Sequence, residues 1–275
     1  MKSIIDKKNI VLGVSGGIAA YKSAELLRLL VKNGAKVRVI MTQNAIAFVG
    51  PVTFEALSGQ KVCTSLFERD GDASIKHIDW ATEADAVVIA PATANVIGKF
   101  ANGIADDALS TFILAVTCPV LVCPSMNTQM FESRSVQRNL DRLKADGYFV
   151  IDPESGELAC GTIGTGRLPE PEDILDRLLY ALYPKDLAGE HILVTAGPTR
   201  EHFDPVRFIS NPSSGKMGFA VARAAEHRGG KVNLVTGPTN LADPNHVSVI
   251  RVRTAQEMAA EVFERMDASD IIVKT

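Results

Sequence analysis

No block of lysine and arginine occurs anywhere in this chain. Its 29 basic and 32 acidic side chains leave a net charge of −3 and are dispersed over 275 residues, so the electrostatic footprint of a nucleic-acid partner or of an anionic lipid surface is missing. Cysteine is scarce as well. Four occur in the whole chain, none in a C-x-x-C pair; this gives no disulfide framework and no ligand set for zinc, and the thiols read as reduced, in a cytoplasmic protein. An uninterrupted apolar span is also lacking. Lys7 and Lys8 ahead of "NIVLGVSGGIAA" imitate an export signal, but the apolar core is a few residues long and runs straight into an amphipathic helix. Residues 108–131 carry no charge, yet Pro119 and Pro124 interrupt them and "PSMNTQ" is polar. A helix followed by a buried strand is therefore expected there, not a membrane span. The expectation is a soluble protein with neither membrane nor nucleic acid among its partners.

What is present is an alternation of strand-length apolar runs with longer segments of helical period, the grammar of an α/β fold with a parallel sheet. "NIVLGV" reads as a buried strand, "SGG" as a tight turn, and Ala19, Ala20, Leu26, Leu27, Leu30 and Val31 recur at helical spacing until Gly34 stops the helix. "KVRVIMT" returns as a second strand. "AVVIAP", "PVLVCP" and "YFVID" are further strands, separated by helical stretches containing "NVIGKFANGIADDALSTFILAV" and "SRSVQRNLDRLKADG". A helix from about Pro171 to Tyr183 closes this domain. After "YPKDLAGE" the pattern restarts with "HILVTAGPT", "KMGFAVARAAEHRGG" and "KVNLVTGPT". Two Rossmann-like domains follow from this, residues 1–188 and 189–275.

Both domains place glycines and small hydroxyl residues where a strand turns into a helix, a setting that favours an anion, most naturally phosphate. "GVSGGIAA" lacks the full G-x-G-x-x-G pattern, and the second strand ends in Met41 and Thr42 without the acidic residue that a nicotinamide dinucleotide site uses. A mononucleotide fits better. Ligands of open parallel sheets gather beyond the carboxyl ends of the strands, which brings "PATAN" and "PSMN", with Asn95 and Asn127, to the same place. Turn formation explains either asparagine equally well. His77, in "IKHIDW" ahead of the third strand, is a single histidine of structural or catalytic use. Cys160 stands in "GELACGTIGTGRL", a glycine-rich stretch read as a surface loop, where a thiol has no apolar face to bury it and a functional use is the better reading.

Taken in order, "GVSGGIAAYK", "KHIDWA", "PATANVIGK", "PSMN" and "ACGTIGTGRL" resemble the flavin-dependent phosphopantothenoylcysteine decarboxylase domain of bacterial coenzyme A biosynthesis. "VTAGPTREHFDPVRFISNPSSGKMG" resembles the start of the phosphopantothenate–cysteine ligase domain that is fused to it in many bacteria. The resemblance covers essentially the whole chain. It implies a flavodoxin-like first domain that binds FMN through Ser15, Gly16, Gly17 and Ile18, near Thr42, with further contacts from Ala92, Thr93, Ala94 and Asn95. It implies decarboxylation of 4'-phosphopantothenoylcysteine to 4'-phosphopantetheine, with His77 the essential histidine, Asn127 holding the substrate carboxylate and Cys160 donating the last proton. It also implies trimers grouped into a dodecamer, with FMN held between neighbouring subunits. Related proteins decarboxylate a peptide's terminal cysteine, prenylate the flavin or act as non-catalytic regulatory subunits. The cysteine-bearing stretch and the second domain favour the small substrate.

For the second domain the resemblance implies CTP and Mg²⁺, with Asn211 in "FISNPSS" handling the acyl-cytidylate. The chain stops at "DIIVKT", read as the third strand of that domain, ahead of the family's later nucleotide contacts. The expectation is an incomplete second sheet and decarboxylase activity without ligase activity.

Overall fold

The computed structural model describes residues 3–66, 73–157, 161 and 163–275, with backbone alone for 73–77. The chain divides into two compact units, Met1–Leu182 and Tyr183–Thr275.

In the first unit, strands β1 (Asn9–Val14) and β2 (Lys36–Met41) flank helix α1 (Ala20–Lys32), as the apolar pattern requires. Helices α2 (Gln43–Ile46), α3 (Pro51–Ser58) and α4 (Ala73–Glu83) lead to β3 (Ala86–Ala92). Then come α5 (Ala94–Asn102), α6 (Ala108–Leu114), β4 (Val120–Pro124), α7 (Thr128–Phe131), α8 (Arg134–Ala145) and β5 (Phe149–Val150). A hairpin of β6 (Glu154–Glu157) and β7 (Ile163–Arg167) precedes α9 (Pro171–Leu182).

The five-stranded parallel sheet has the order β2-β1-β3-β4-β5, the flavodoxin-like order, whose connections change direction between β1 and β3. Its inner strands β1, β3 and β4 are apolar on both faces because helices cover both, while β2 at the edge carries Lys36 and Arg38 on one face. Ile10, Leu12 and Val14 share a core with Leu26, Leu27 and Leu30 of α1 and with Ile174 and Leu178 of α9. Val11, Val87 and Ile89 point the other way, into a core with Ile97, Leu109, Phe112 and Leu140. Gly13 is what lets α6 come close: a Cβ there would lie 2.6 Å from Ile89 Cδ1 and 2.7 Å from Leu109 Cδ1.

Two sequence expectations change here. The helical stretch around residues 95–116 is two helices, because Gly103 takes φ 64° at the end of α5 and Asp107 starts α6 afresh with a capping box. The stretch 156–168, expected as a loop, supplies most of an antiparallel hairpin in which Gly156 pairs with Gly164. Its glycines are needed for close approach. Gly166 has φ 147° and a Cβ there would collide with the Met126 carbonyl, while one at Gly164 would collide with Thr128.

The second unit contains β8 (His191–Ala196), a small hairpin of β9 (Arg200–His202) and β10 (Phe208–Ser210), and α10 (Lys216–His227). β11 (Lys231–Thr236), β12 (Ser248–Arg251), α11 (Ala255–Met266) and β13 (Ile271–Lys274) follow. Its parallel sheet runs β12-β11-β8-β13. "DIIVKT" is thus not the third strand of this sheet in chain order but the fourth, because "SVIR" is a strand that its mixed polarity conceals. Ile192, Val194 and Leu234 pack on Phe219 and Ala222 of α10, and Leu193 and Val235 pack on Val262 of α11.

Candidate functional site

The change of direction between β1 and β3 is held by one side chain. Ser15 is fully buried; its hydroxyl donates to the Pro91 carbonyl at 2.7 Å and accepts the Thr93 N–H at 2.9 Å. Ser15 therefore stands behind the site and does not line it, and Ala92, also fully buried, is likewise outside the lining. Both were expected to touch a cofactor. What Ser15 does is fix the ends of β1 and β3 so that two helices start side by side.

Those helices, α1 and α5, begin without a side-chain cap. Among the described residues the N–H groups of Gly16, Ile18 and Ala19 have no hydrogen-bond partner. Unpaired N–H groups at a helix start attract an anion. Gly16 must be glycine, because a Cβ there would collide with Asn44, whose carbonyl carbon would be 2.7 Å away. Gly16, Gly17, Ile18, Thr42, Thr93, Ala94 and Asn95 all line one cavity of about 960 Å³, so the structure brings these expected residues together.

Asn127 lines the same cavity. The turn that carries it is tied down on two sides: Ser125 N–H binds the Ala92 carbonyl at 3.0 Å, and Met126 N–H binds the Gly166 carbonyl at 3.0 Å. Its Oδ1 accepts the Gln129 N–H at 2.9 Å at the start of α7, so the turn-forming use and a place in the cavity hold at once. His77 falls on α4, and its side chain lies outside the described residues, as does Cys160, between β6 and β7.

Three cations in the lining were not legible in the sequence. Lys99, one turn beyond Asn95, contacts Asp106 at 2.6 Å and Asp107 at 2.7 Å. Burial pulls its pKa down, but the two carboxylates outweigh that and hold it above the ordinary lysine value. Burial would likewise raise Asp107, yet its bonds to Lys99 and Ser110 keep it below the usual carboxylate value. Lys22, buried on α1, gives hydrogen bonds to Glu170 at 2.8 Å and to the Leu168 carbonyl at 3.1 Å. Arg167, at the end of β7, reaches the same Glu170 oxygen at 3.2 Å. The bond from Lys22 is the main reason that Glu170 titrates below the ordinary value. Lys22 and Glu170 are brought together from 148 residues apart, whereas Lys99 and Arg167 pair with carboxylates eight and three residues further on.

In the second unit, Asn211 is exposed ahead of α10 and its Oδ1 accepts the Ser213 N–H at 2.9 Å. α10 starts at Gly215, in the left-handed region and with no side-chain cap. The buried Thr239 hydroxyl has no hydrogen-bond partner, and its methyl group would lie 2.8 Å from a Cβ at Gly215.

A doubly wound parallel sheet with a glycine-lined cradle at the change of strand direction defines a flavodoxin-like fold with its site where such folds carry one. Residues 2–182 match the Flavoprotein family model, and residues 187–275 match that of the DNA/pantothenate metabolism flavoprotein C-terminal domain. The chain is 48% identical over 277 residues to the Coenzyme A biosynthesis bifunctional protein CoaBC of Bacillus subtilis (strain 168), covering 99% of this chain and 68% of that one. The chain belongs to the Flavoprotein family in its first unit and, over nearly its whole length, to the family of bifunctional coenzyme A biosynthesis proteins. Among solved structures it is similar to the FMN-dependent cysteine decarboxylase SpaF, at TM-score 0.56 and 32% identity, over 65% of this chain and 97% of that one. It is equally similar to a PPC decarboxylase mutant complexed with pantothenoylaminoethenethiol, at TM-score 0.56 and 32% identity, over 62% of this chain and 96% of that one. Among the described residues no helix is long and apolar enough to cross a membrane.

Proposed function

We propose that the first unit is an FMN-dependent decarboxylase that converts 4'-phosphopantothenoylcysteine to 4'-phosphopantetheine in coenzyme A biosynthesis. The observation that carries it is the cavity at the β1/β3 crossing, with its two uncapped helix starts, in a chain 48% identical to a bifunctional coenzyme A biosynthesis protein. The lining fits a flavin mononucleotide: unpaired N–H groups for one phosphate, a glycine where no Cβ has room, and Thr42 just past the end of β2 where a dinucleotide site has a carboxylate. Gly16, Gly17, Ile18 and the first turn of α5 would hold it. Bound there, FMN supplies the two-electron redox chemistry that lets the cysteinyl group lose carbon dioxide.

The chain's own residues bind, orient and move protons. Asn127 offers its amide to the substrate carboxylate at a turn that two backbone hydrogen bonds keep rigid. His77 acts before the carboxylate leaves. Cys160 protonates carbon in the ene-thiolate that remains after carbon dioxide departs, an acid's task at a site closed to water. The Met126–Gly166 bond holds β7 against the turn that carries Asn127.

The second unit is proposed as the part related to the CTP- and Mg²⁺-dependent ligase, with Asn211 and the start of α10 beside the nucleotide. The chain spans about two thirds of the length of its relative (68%), and the ligation activity of the whole stays with this proposal. Self-association into trimers within a dodecamer in the cytoplasm completes the reading.

The test is release of carbon dioxide from phosphopantothenoylcysteine by the flavin-loaded protein. Cys160→Ser should still release it but leave an unsaturated ene-thiol, and light scattering should give a mass far above the 29.5 kDa of one chain. A flavin-binding protein that releases no carbon dioxide would be a regulatory subunit. The likeness to SpaF supports a second reading, a cysteine in another molecule; a peptide ending in cysteine, decarboxylated faster than the phosphorylated substrate, would select it.

A further inference from the structure

We propose that Arg167 recognises the phosphate of the substrate and so sets the preference of the first unit for a phosphorylated cysteine derivative over its unphosphorylated counterpart. The inference rests on the decarboxylase reading. That reaction brings three anionic groups to one cavity: the flavin phosphate, the substrate carboxylate and the substrate phosphate. The unpaired N–H groups at the start of α1 serve the first, and the Asn127 amide serves the second. The third needs a cation. Among the described residues three cations line the cavity: Lys22, Lys99 and Arg167.

Two of them are spent. Lys22 has a side chain only 8% exposed and is bonded to Glu170 and the Leu168 carbonyl. Lys99 is 16% exposed and lies between two carboxylates. Arg167 differs on both counts. Its side chain is 41% exposed and, among the described residues, one Nη2 contact to Glu170 at 3.2 Å is its only ion pair. A guanidinium carries five donors in a planar fork that matches a phosphate, so most of them remain for a ligand. Room for that fork is made at residue 156. A Cβ on Gly156 would lie 3.2 Å from Arg167 Cδ and 3.3 Å from Nη1, so the side chain would have to give by a few tenths of an ångström. Glu170 anchors the remaining edge, and Lys22 holds the Glu170 carboxylate in place at 2.8 Å. Arg167 is thus held in the cavity wall by a carboxylate that it shares, with its other donors free to bind.

The experiment compares phosphopantothenoylcysteine with pantothenoylcysteine on flavin-loaded wild type, Arg167→Met and Arg167→Lys, with flavin content measured for each. Wild type should favour the phosphorylated substrate by at least about tenfold in kcat/KM, the size of one charge-assisted contact. Arg167→Met should bring the two substrates within about twofold of each other. KM for the phosphorylated one should rise while the other is unchanged and flavin stays bound. Arg167→Lys, which keeps the charge and loses the fork, should be intermediate, and it carries the test if the methionine variant does not fold. Equal losses on both substrates would assign Arg167 a structural or carboxylate-binding role and overturn the proposal. So would an unchanged preference, with or without loss of flavin. Absence of carbon dioxide from either substrate with wild type is a different result, since it removes the decarboxylase reading itself.

Discussion

Ser15 shows how far one hydroxyl reaches. It satisfies the partly buried Thr93 N–H and the buried Pro91 carbonyl at once, and thereby sets the start of α5 beside the start of α1. Ser15→Ala leaves the partly buried Thr93 N–H without this partner, which costs about 1 kcal/mol. The urea midpoint of the variant should fall accordingly, and bound flavin should be lost more readily, because Thr93 and Ala94 lose their support. A variant with unchanged midpoint and flavin retention would contradict the account. At this scale the sequence was partly readable. "SGGI" after an apolar run announces an anion turn, because turn chemistry is local. Which of its residues face the ligand was not readable, since the inward turn of Ser15 is decided by a partner 76 residues away. Lys22 escaped for the same reason, since its carboxylate partner is 148 residues away.

Among elements, the segment from α5 to α6 is where charge and fold meet. Asp107 caps α6, binds Lys99 and lines the cavity, so three structures depend on one ionised carboxyl. Both Asp107 and Glu170 titrate below their ordinary carboxyl values in the folded protein. A depressed carboxyl stabilises the fold above its unfolded pKa, and this contribution disappears as pH falls through the lower folded value. Stability should therefore decline as pH falls through and below the ordinary carboxylate range, about pH 4. Asp107→Ala should cost about 1 kcal/mol at neutral pH through the lost cap and make the acid decline shallower. Urea midpoints measured from pH 7 down to pH 3 check both, and an equally steep decline in the variant would remove Asp107 from the account. The inner strands of the main sheet were legible because both faces of each are apolar, and β2 because Val37, Val39 and Met41 alternate with Lys36 and Arg38. The hairpin of β6 and β7 was not. Glycine is rare in strands, and here Gly164 and Gly166 are present because Thr128 and Met126 leave no space for a Cβ, a fact of packing that no local pattern carries.

For the whole molecule, the two units own separate cores, Leu12 and Val88 with their neighbours in one and Val194 and Leu234 in the other. Calorimetry should show two transitions, and FMN at 100 times its dissociation constant should stabilise one of them by about 2.7 kcal/mol and leave the other in place. One transition that moved as a whole would mean that the units unfold together. The order of strands in the first sheet also governs how the chain comes into being. β1 lies between β2 and β3, and the residue that anchors the β3 side, Asp85, follows Asn9 by 76 positions. On a ribosome adding roughly 5–20 residues per second, that interval lasts about 4–15 s. Throughout it the edge of β1 that receives β3 has no partner, even once β2 has paired with the other edge, which makes this interval the stage of biosynthesis at which chaperone capture or misassembly has its opening.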